Sequence, residues 1–323
     1  WNLYEKFLGK ISNIKDFSQN RNFKFIEGDV RNLKTCMDST KDVKFVLHQA
    51  ALGSVPRSIE NPIKTNEANI SGFLNMIYAC KENNVNRFIF ASSSSIYGDS
   101  KNSPKIEEII GNPLSPYAIT KFVNELYAQN FSKLYNLDFI GLRYFNVFGK
   151  RQDPDGSYAA VIPKFIKKII NVQSPIINGN GSYSRDFTFI DNVIQMNVLA
   201  ILTKNKKALN QIYNTAFGES TTLNDLVIIL KKCLSNFDKN IKNIHPIYGP
   251  PRNGDISHSL SSIDKGNNLL GYVPKYNLEQ GLEKSVKWYW NNLKWKNTLF
   301  TKLQLLILHA TLVMELKYGI LAT

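Results

Sequence analysis

The strongest constraint on the fold is the regular alternation of strand-like and helix-like segments over the first half of the chain. Apolar runs of strand length alternate with stretches whose apolar residues recur at helical spacing. Ser115 followed by Pro116 is a typical helix start, because serine caps the first turn and proline fits its first position. The pattern predicts an α/β fold with a doubly wound parallel sheet, in which ligands bind at the carboxyl ends of the strands. The predicted strands are residues 23–30, 44–51, 87–91 and 138–145, and the predicted helices are residues 66–83 and 115–135. The strands at 23–30 and 44–51 are expected to be buried on both faces.

The alternation weakens after Gly149, which predicts a second, smaller unit. We expect residues 1–149 to form the main domain, to which a helix at 191–203 and a strand at 212–217 return within a segment spanning 188–217. Residues 150–187 and 218–290 are richer in loops and are expected to form a substrate-binding subdomain. Residues 291–323 are a tail of different character, to which no role is assigned.

Charge and cysteine content exclude several other classes of protein. The net charge of +14 permits nucleic-acid binding, but the lysines are scattered rather than clustered, so no nucleic-acid partner is expected. The three cysteines lack the paired spacing of a disulfide framework or a zinc site, which favours a reducing cytoplasm and no metal. The most apolar stretch, residues 303–314, is too short to span a membrane.

Two tyrosines are each followed by a lysine four residues later. On a helix this spacing places the phenol beside an ammonium, which favours the phenolate and makes the tyrosine a base. Tyr97 and Lys101 lie in a predicted loop, where the spacing brings nothing together, so this pair is interpreted as a decoy. Tyr117 and Lys121 instead begin the predicted helix that follows the serine run 92–95.

Six segments together resemble one family, the extended short-chain dehydrogenase/reductases of the NAD-dependent epimerase/dehydratase type. Within it they are most similar to the bacterial UDP-N-acetylglucosamine 4-epimerases of polysaccharide biosynthesis. The similarity extends from about residue 23 to residue 289. The segments are HQAALGSVPRSIENP (48–62), SSSSIYGD (92–99), NPLSPYAITK (112–121), LRYFNVFGKRQDPDGSYAAVIPKF (142–165), SRDFTFIDNVIQMN (184–197) and GDISHS (254–259).

The resemblance implies a role for individual residues. Tyr117 is the base, Lys121 holds the nicotinamide ribose and lowers the tyrosine pKa, and Ser93 completes the catalytic triad. The residues expected to contact NAD are Asp29, Val30, Gln49, Ala50 and Ala51, although Asp29 also suits a turn and the alanines also suit core packing. The residues expected to bind the UDP-sugar are Ser94 and Ser95 at the sugar, Asn146, Arg185, Arg252 and Asp255 around UDP, and Gly53, Ser54, Gln152, Ala160 and Ser259 at an N-acetyl group.

The implied reaction is inversion of C4 of a UDP-N-acetylhexosamine through a 4-keto sugar, with tightly held NAD. A 4,6-dehydratase is disfavoured because such enzymes carry Asp-Glu where this chain has Ser94-Ser95. A UDP-uronic acid 4-epimerase stays open, since Arg57 suits a carboxylate. A homodimer is implied through a four-helix contact of residues 66–83 and 115–135.

The family also begins with a strand and a glycine-rich turn that cradle the cofactor pyrophosphate. Neither precedes Asp29 in the sequence, so a Rossmann-like domain with an incomplete N-terminal part is expected. Weak NAD binding follows from that expectation. A non-catalytic sugar-nucleotide-binding protein is the remaining alternative.

Overall fold

The structure is a computed structural model that describes residues 10–156, 159–251 and 257–294. Its centre is a four-stranded parallel sheet of order β1-β2-β3-β8. The strands of this sheet are β1 (Phe45–His48), β2 (Arg87–Ser93), β3 (Asp138–Tyr144) and β8 (Gln211–Thr215). Shorter strands pair outside it: β4 (Val147–Phe148), β5 (Ile176–Asn178), β6 (Ser184–Arg185), β7 (Thr188–Phe189), β9 (Thr221–Thr222) and β10 (Ile247–Gly249).

Helices connect these strands and cover both faces of the central sheet, as the alternation predicts. In chain order they are α1 (Leu33–Ser39), α2 (Val55–Glu60), α3 (Pro62–Asn66), α4 (Gly72–Glu82), α5 (Pro116–Tyr135), α6 (Val161–Ile170), α7 (Ile190–Leu202), α8 (Leu223–Leu234), α9 (Asp264–Leu270) and α10 (Leu278–Tyr289). A π-helical turn at Glu67–Ser71 precedes α4, and a 3₁₀ turn at Ser94–Tyr97 follows β2.

Alternate residues of the central strands face opposite helical layers. Phe88 and Phe90 of β2 pack with α4 and α5, whereas Ile89 packs with α7 and α9 on the other side. This arrangement confirms the prediction of a parallel α/β sheet with helices on both faces. It also brings the carboxyl ends of β1, β2 and β3 to one edge, where the first turns of α5 lie.

The prediction that residues 23–30 form a buried strand is wrong. No strand is assigned there, and Phe23, Phe25 and Ile26 are exposed. The prediction that β1 is buried on both faces is also wrong, because Phe45 and Leu47 are 38% and 44% exposed. Both differences have the same cause. Within the described ranges β1 pairs only with β2, so no strand lies at its other edge to bury β1 or to pair with residues 23–30.

A second hydrophobic core lies outside the sheet. It is built from α6, α8 and α10 together with Phe148, Phe187 and Phe189. Gly281 of α10 permits close packing, since a Cβ there would lie 2.7 Å from Cγ of Phe189. The boundaries between the two predicted domains stay a prediction. None of the helices in the described ranges has both the length and the hydropathy of a membrane-spanning segment.

Candidate active site

The helix that carries Tyr117 and Lys121 is fixed at its start by its sequence. Ser115 accepts a hydrogen bond from the Ala118 amide at 3.1 Å, and Pro116 occupies the first turn, as predicted. Lys121 is only 3% exposed, and its Nζ donates to the carbonyl oxygen of Ala91 on β2 at 2.7 Å. Burial lowers the pKa of Lys121 to about 8, because an ammonium is poorly solvated there.

Ser93 ends β2 and lies beside the phenol of Tyr117. The Ser93 side chain lowers the pKa of Tyr117, but burial raises it more, and the net pKa is above the ordinary value. The prediction that Lys121 lowers this pKa stays a prediction. The ammonium is engaged by the Ala91 carbonyl, and the Ser93 hydroxyl is the group that favours the phenolate. Ser93 also accepts a hydrogen bond from Ser95 Oγ at 2.9 Å, and Ser94 lies between them in the 3₁₀ turn.

The other tyrosine and lysine pair, Tyr97 and Lys101, has the surroundings expected of residues outside the site. Tyr97 is 1% exposed, and its hydroxyl donates to Asn214 Oδ1 at 2.6 Å. The Tyr97 ring packs against the ring of Phe145. Lys101 lies in an exposed loop segment. Tyr97 is therefore a core residue whose hydroxyl is already satisfied.

Asp29 borders a surface cavity of about 500 Å³ that is also lined by Arg31, Asn32, Glu67 and Ser71. Val30 does not line this cavity, and its backbone oxygen accepts a hydrogen bond from Asn75 Nδ2 at 3.1 Å. The Asp29 carboxylate accepts the Arg31 backbone amide at 2.9 Å and pairs with its guanidinium at 2.6 Å, which holds the pKa of Asp29 below its ordinary value. Asp29 therefore has the turn role that was considered for it. Its carboxylate still lies at the cavity wall.

Gln49, Ala50 and Ala51 follow β1 directly. Gln49 donates to Asn197 Oδ1 at 3.2 Å and accepts from the Tyr144 hydroxyl at 3.1 Å, so α7 and β3 both hold its side chain. Ala50 and Ala51 are half-buried. These residues follow the end of β1, beside the end of β2 that carries Ser93 and contacts Lys121 of α5, a geometry that fits a dinucleotide lying across the sheet edge.

Two of the residues predicted around UDP, Asn146 and Arg185, are joined through neighbouring backbone to Ser259, which was predicted at the N-acetyl group. Asn146, with a positive φ of 32°, donates through Nδ2 to the backbone oxygen of Asp186 at 3.1 Å. Arg185 donates to the backbone oxygen of Ser184 at 2.9 Å, and the Ser259 amide donates to that same oxygen at 3.1 Å. Arg252 and Asp255 lie outside the described residues.

The other residues predicted at an N-acetyl group differ from one another in burial and hydrogen bonding. Ser54 has a positive φ of 109° and caps α2 by accepting from the Arg57 amide at 3.3 Å. An added Cβ at Gly53 would meet no atom within 4 Å, so the space beside it is open. Gln152 has a buried Oε1 without a hydrogen-bond donor in the described part of the chain. Ala160 is exposed and precedes α6.

Asp186 is a structural centre of this region that the sequence argument missed. Its fully buried carboxylate accepts the amides of Phe217, Gly218 and Ser261 at 3.0, 3.0 and 3.3 Å. Burial outweighs these bonds and raises the pKa of Asp186 to about 7. A carboxylate between Arg185 and Phe187 in the strand-like run SRDFTF was the available signal, because an acid among apolar residues needs local donors.

Glu125 and Arg143 were also missed. They form a doubly hydrogen-bonded ion pair between α5 and β3, with side chains 2% and 4% exposed. A carboxylate on the buried face of the helix four residues after Lys121 was the signal. No cluster of three or more metal-ligating side chains occurs among the residues that the structure describes.

Comparison with known proteins agrees with this geometry. The sequence model of the NAD dependent epimerase/dehydratase family matches residues 5–216. A putative UDP-glucose 4-epimerase of Methanocaldococcus jannaschii is 35% identical over 272 residues, which are 83% of this chain and 84% of that protein.

Two solved structures extend the comparison. A UDP-N-acetylglucosamine 4-epimerase from Methanobrevibacter ruminantium M1, in complex with UDP-N-acetylmuramic acid, has a TM-score of 0.81, 39% identity and 87% coverage of both chains. A UDP-glucuronic acid 4-epimerase from Bacillus cereus, in complex with UDP-glucuronic acid and NAD, has a TM-score of 0.78 and 29% identity, covering 86% of this chain and 84% of the other.

The family model and the fold lead to the same conclusion as the site. A family that depends on NAD matches all four strands of the central sheet and all of α5, and the site residues at the strand ends fit such a cofactor. The chain therefore belongs to the NAD dependent epimerase/dehydratase family, with NAD as its cofactor.

Proposed function

We propose that this protein is a UDP-sugar 4-epimerase that interconverts the C4 epimers of a UDP-N-acetylhexosamine, a precursor of surface polysaccharides. The observation that carries the proposal is the convergence of Ser93, Tyr117 and Lys121 where β2 ends and α5 begins. A hydroxyl, a phenol and an ammonium at one strand end are the groups needed to move a proton to and from a sugar alcohol.

In the proposed reaction, Tyr117 takes the proton of the C4 hydroxyl and later returns a proton to the C4 oxygen of the 4-keto sugar. Ser93 hydrogen-bonds the reacting oxygen and the phenol, and its effect on the Tyr117 pKa is in the direction that a base requires. Bound NAD supplies the hydride acceptor and donor for C4. Lys121 holds the nicotinamide ribose, and because the hydride returns to the opposite face, C4 is inverted without net oxidation.

Ser94 and Ser95 favour epimerisation over dehydration. Elimination of water from the sugar needs an additional acid and base beside the hydroxyl residue. At this position the chain has two serines, and Ser95 donates to Ser93 rather than offering a carboxylate. These hydroxyls suit hydrogen bonding to an intact sugar.

Gln152 and Gly53 favour an N-acetylated sugar. A buried acceptor without a donor costs about 1–3 kcal/mol, and an acetamido N–H is a chemically matched partner for the Gln152 oxygen. The open space at Gly53 accommodates an acetyl methyl group. A UDP-uronic acid is the second candidate, because one structural relative is a UDP-glucuronic acid 4-epimerase.

The proposal is tested by assaying UDP-GlcNAc, UDP-glucose and UDP-GlcA in parallel with added NAD. We expect the highest kcat/KM for UDP-GlcNAc, and we expect Gln152→Leu to lower the UDP-GlcNAc to UDP-glucose ratio about tenfold. Turnover of UDP-GlcA alone would replace the substrate assignment with the uronic acid. Tight binding of all three without turnover would identify a non-catalytic sugar-nucleotide-binding protein.

The exposed faces of α4 and α5 support the further proposal of a homodimer. Tyr78, Ile119, Leu126 and Leu134 are between 41% and 62% exposed on these helices. Paired helices from two copies bury such faces in a four-helix contact. Light scattering should give a dimer for the wild type and a monomer for Leu126→Glu, whereas Ile228→Glu on the exposed face of α8 should stay dimeric.

A further inference from the structure

The Glu125–Arg143 pair is the most deeply buried ion pair that the structure describes, and the proposed chemistry does not use it. Glu125 accepts from Arg143 Nε at 2.9 Å and Nη2 at 2.8 Å, and from Ser92 Oγ at 2.6 Å. Arg143 also donates to the backbone oxygen of Glu107 at 3.0 Å and lies over the Tyr97 ring. Such pairs rarely add stability, because desolvation of both charges offsets their attraction.

The position of the pair relates it to the catalytic groups. Tyr117, Lys121 and Glu125 follow one another at four-residue spacing on α5, so they share one helical face. Ser92, which donates to Glu125, directly precedes Ser93 on β2. One carboxylate therefore contacts both the strand that ends in Ser93 and the strand that carries Arg143, one turn beyond Lys121.

We propose that Glu125 is a positioning residue of the active site, whose buried carboxylate keeps Lys121 in its ammonium form and fixes the end of β2 through Ser92. The inference rests on the proposed function, which requires that ammonium. Arg143 is the counterion that allows the carboxylate to stay charged in the core.

The groups around Lys121 show in which direction Glu125 changes the pKa of this lysine. Tyr117 and Glu125 face it from α5, His48 from β1 and the Ala91 carbonyl from β2, while Arg143 on β3 lies behind Glu125. His48 is buried and neutral, since burial and the nearby Lys121 lower its pKa to about 3. Burial lowers the Lys121 pKa and Glu125 raises it. Removing the Glu125 charge leaves Arg143 uncompensated, and both changes disfavour the ammonium.

The test compares pH profiles of kcat/KM for the wild type and Glu125→Gln. We expect the decline on the alkaline side, where Lys121 loses its proton, to move to lower pH by about one pH unit. Ser92→Ala removes a hydrogen bond to the same carboxylate but no charge, so its alkaline decline should lie at the wild-type pH, while the loss of this support for the end of β2 lowers kcat. Glu125→Asp should restore the profile, which a loss of packing alone would not explain.

A second measurement is independent of turnover. Lysine labelled with ¹³C, with the Lys121 signal assigned from Lys121→Met, gives the Lys121 pKa directly by NMR titration. A lower pKa in Glu125→Gln supports the proposal even if none of the three sugar nucleotides is a substrate. An unchanged Lys121 pKa overturns it. If Glu125→Gln does not fold, Glu125→Gln/Arg143→Met lacks the unpaired guanidinium and serves for both measurements, with a shift in the same direction but smaller, because only the loss of the Glu125 charge remains.

Discussion

The ammonium of Lys121 lies 2.7 Å from the carbonyl oxygen of Ala91, two residues before Ser93 on the same strand. This contact joins the second turn of α5 to the end of β2 inside the protein, where Lys121 is 3% exposed. The hydrogen bond replaces one of the water contacts that burial removes. It also fixes the distance between the helix that carries Tyr117 and the strand that carries Ser93.

Replacing Lys121 with Met should lower kcat by about two to three orders of magnitude, because an oriented ammonium is lost from the proton-transfer site. Met keeps the length and apolar stem of the side chain. Lys101→Met, in the exposed loop after Tyr97, is the control and should keep wild-type kcat. Comparable losses in the two variants would argue against a special role for Lys121.

Arg143→Leu should destabilise the protein by about 3–5 kcal/mol, because it leaves the buried Glu125 carboxylate without its partner. Urea unfolding gives the free energy of unfolding. Lys34→Ala breaks an ion pair with Asp38 whose side chains are 85% and 48% exposed, so the stability of that variant should be nearly unchanged. Equal effects of the two substitutions would contradict the packing described for α5 and β3.

Gly281→Ala should lower the free energy of unfolding by about 1–3 kcal/mol, since its Cβ would overlap the Phe148 and Phe189 rings. The clash is with rings that the second core holds in place. Gly53→Ala adds the same methyl group in open space and should leave the melting temperature unchanged. A wild-type melting temperature for Gly281→Ala would show that α10 packs less closely than described.

His48 should make the protein less stable in acid. Its ring packs against those of Phe73 and Phe88 at centroid distances of 5.5 and 5.7 Å, and burial lowers its pKa to about 3. The unfolded chain, with a histidine pKa of about 6.5, therefore binds a proton that the folded chain does not bind, and stability declines as pH falls below 6.5.

Between pH 7 and pH 5 the wild type should lose about 2 kcal/mol more than His48→Phe, as measured by urea unfolding at each pH. His245→Phe, at an exposed position, is the matched control and should follow the wild type. The same pH dependence in wild type and His48→Phe would mean that His48 is not kept neutral by the core.

The sequence predicts the local elements of the catalytic region well, because their signals are local. Helix α5 begins at Pro116 and ends at Tyr135 as predicted, and the Ser115 cap is formed. The expectation for residues 23–30 was wrong for a non-local reason. An apolar run becomes a strand only when a partner strand satisfies its backbone, and composition does not identify that partner.

The site illustrates the same limit. Helical spacing correctly placed Tyr117 and Lys121 on one face, yet it did not predict that the ammonium bonds a strand carbonyl while Ser93 acts on the phenol. Gln152 is held through its backbone oxygen by the Tyr289 hydroxyl at 2.9 Å, a contact between residues 137 positions apart. Such contacts depend on how the second core packs against the strand ends, which no local pattern encodes.

The most direct test of the account is the rate of C4 epimerisation of UDP-GlcNAc by Tyr117→Phe, measured beside the wild type and Tyr97→Phe. Phe keeps the ring and removes only the hydroxyl that accepts and returns the proton. We predict a loss of about three orders of magnitude in kcat for Tyr117→Phe and a kcat close to wild type for Tyr97→Phe. An undiminished rate in Tyr117→Phe would contradict the assignment of this tyrosine as the catalytic base.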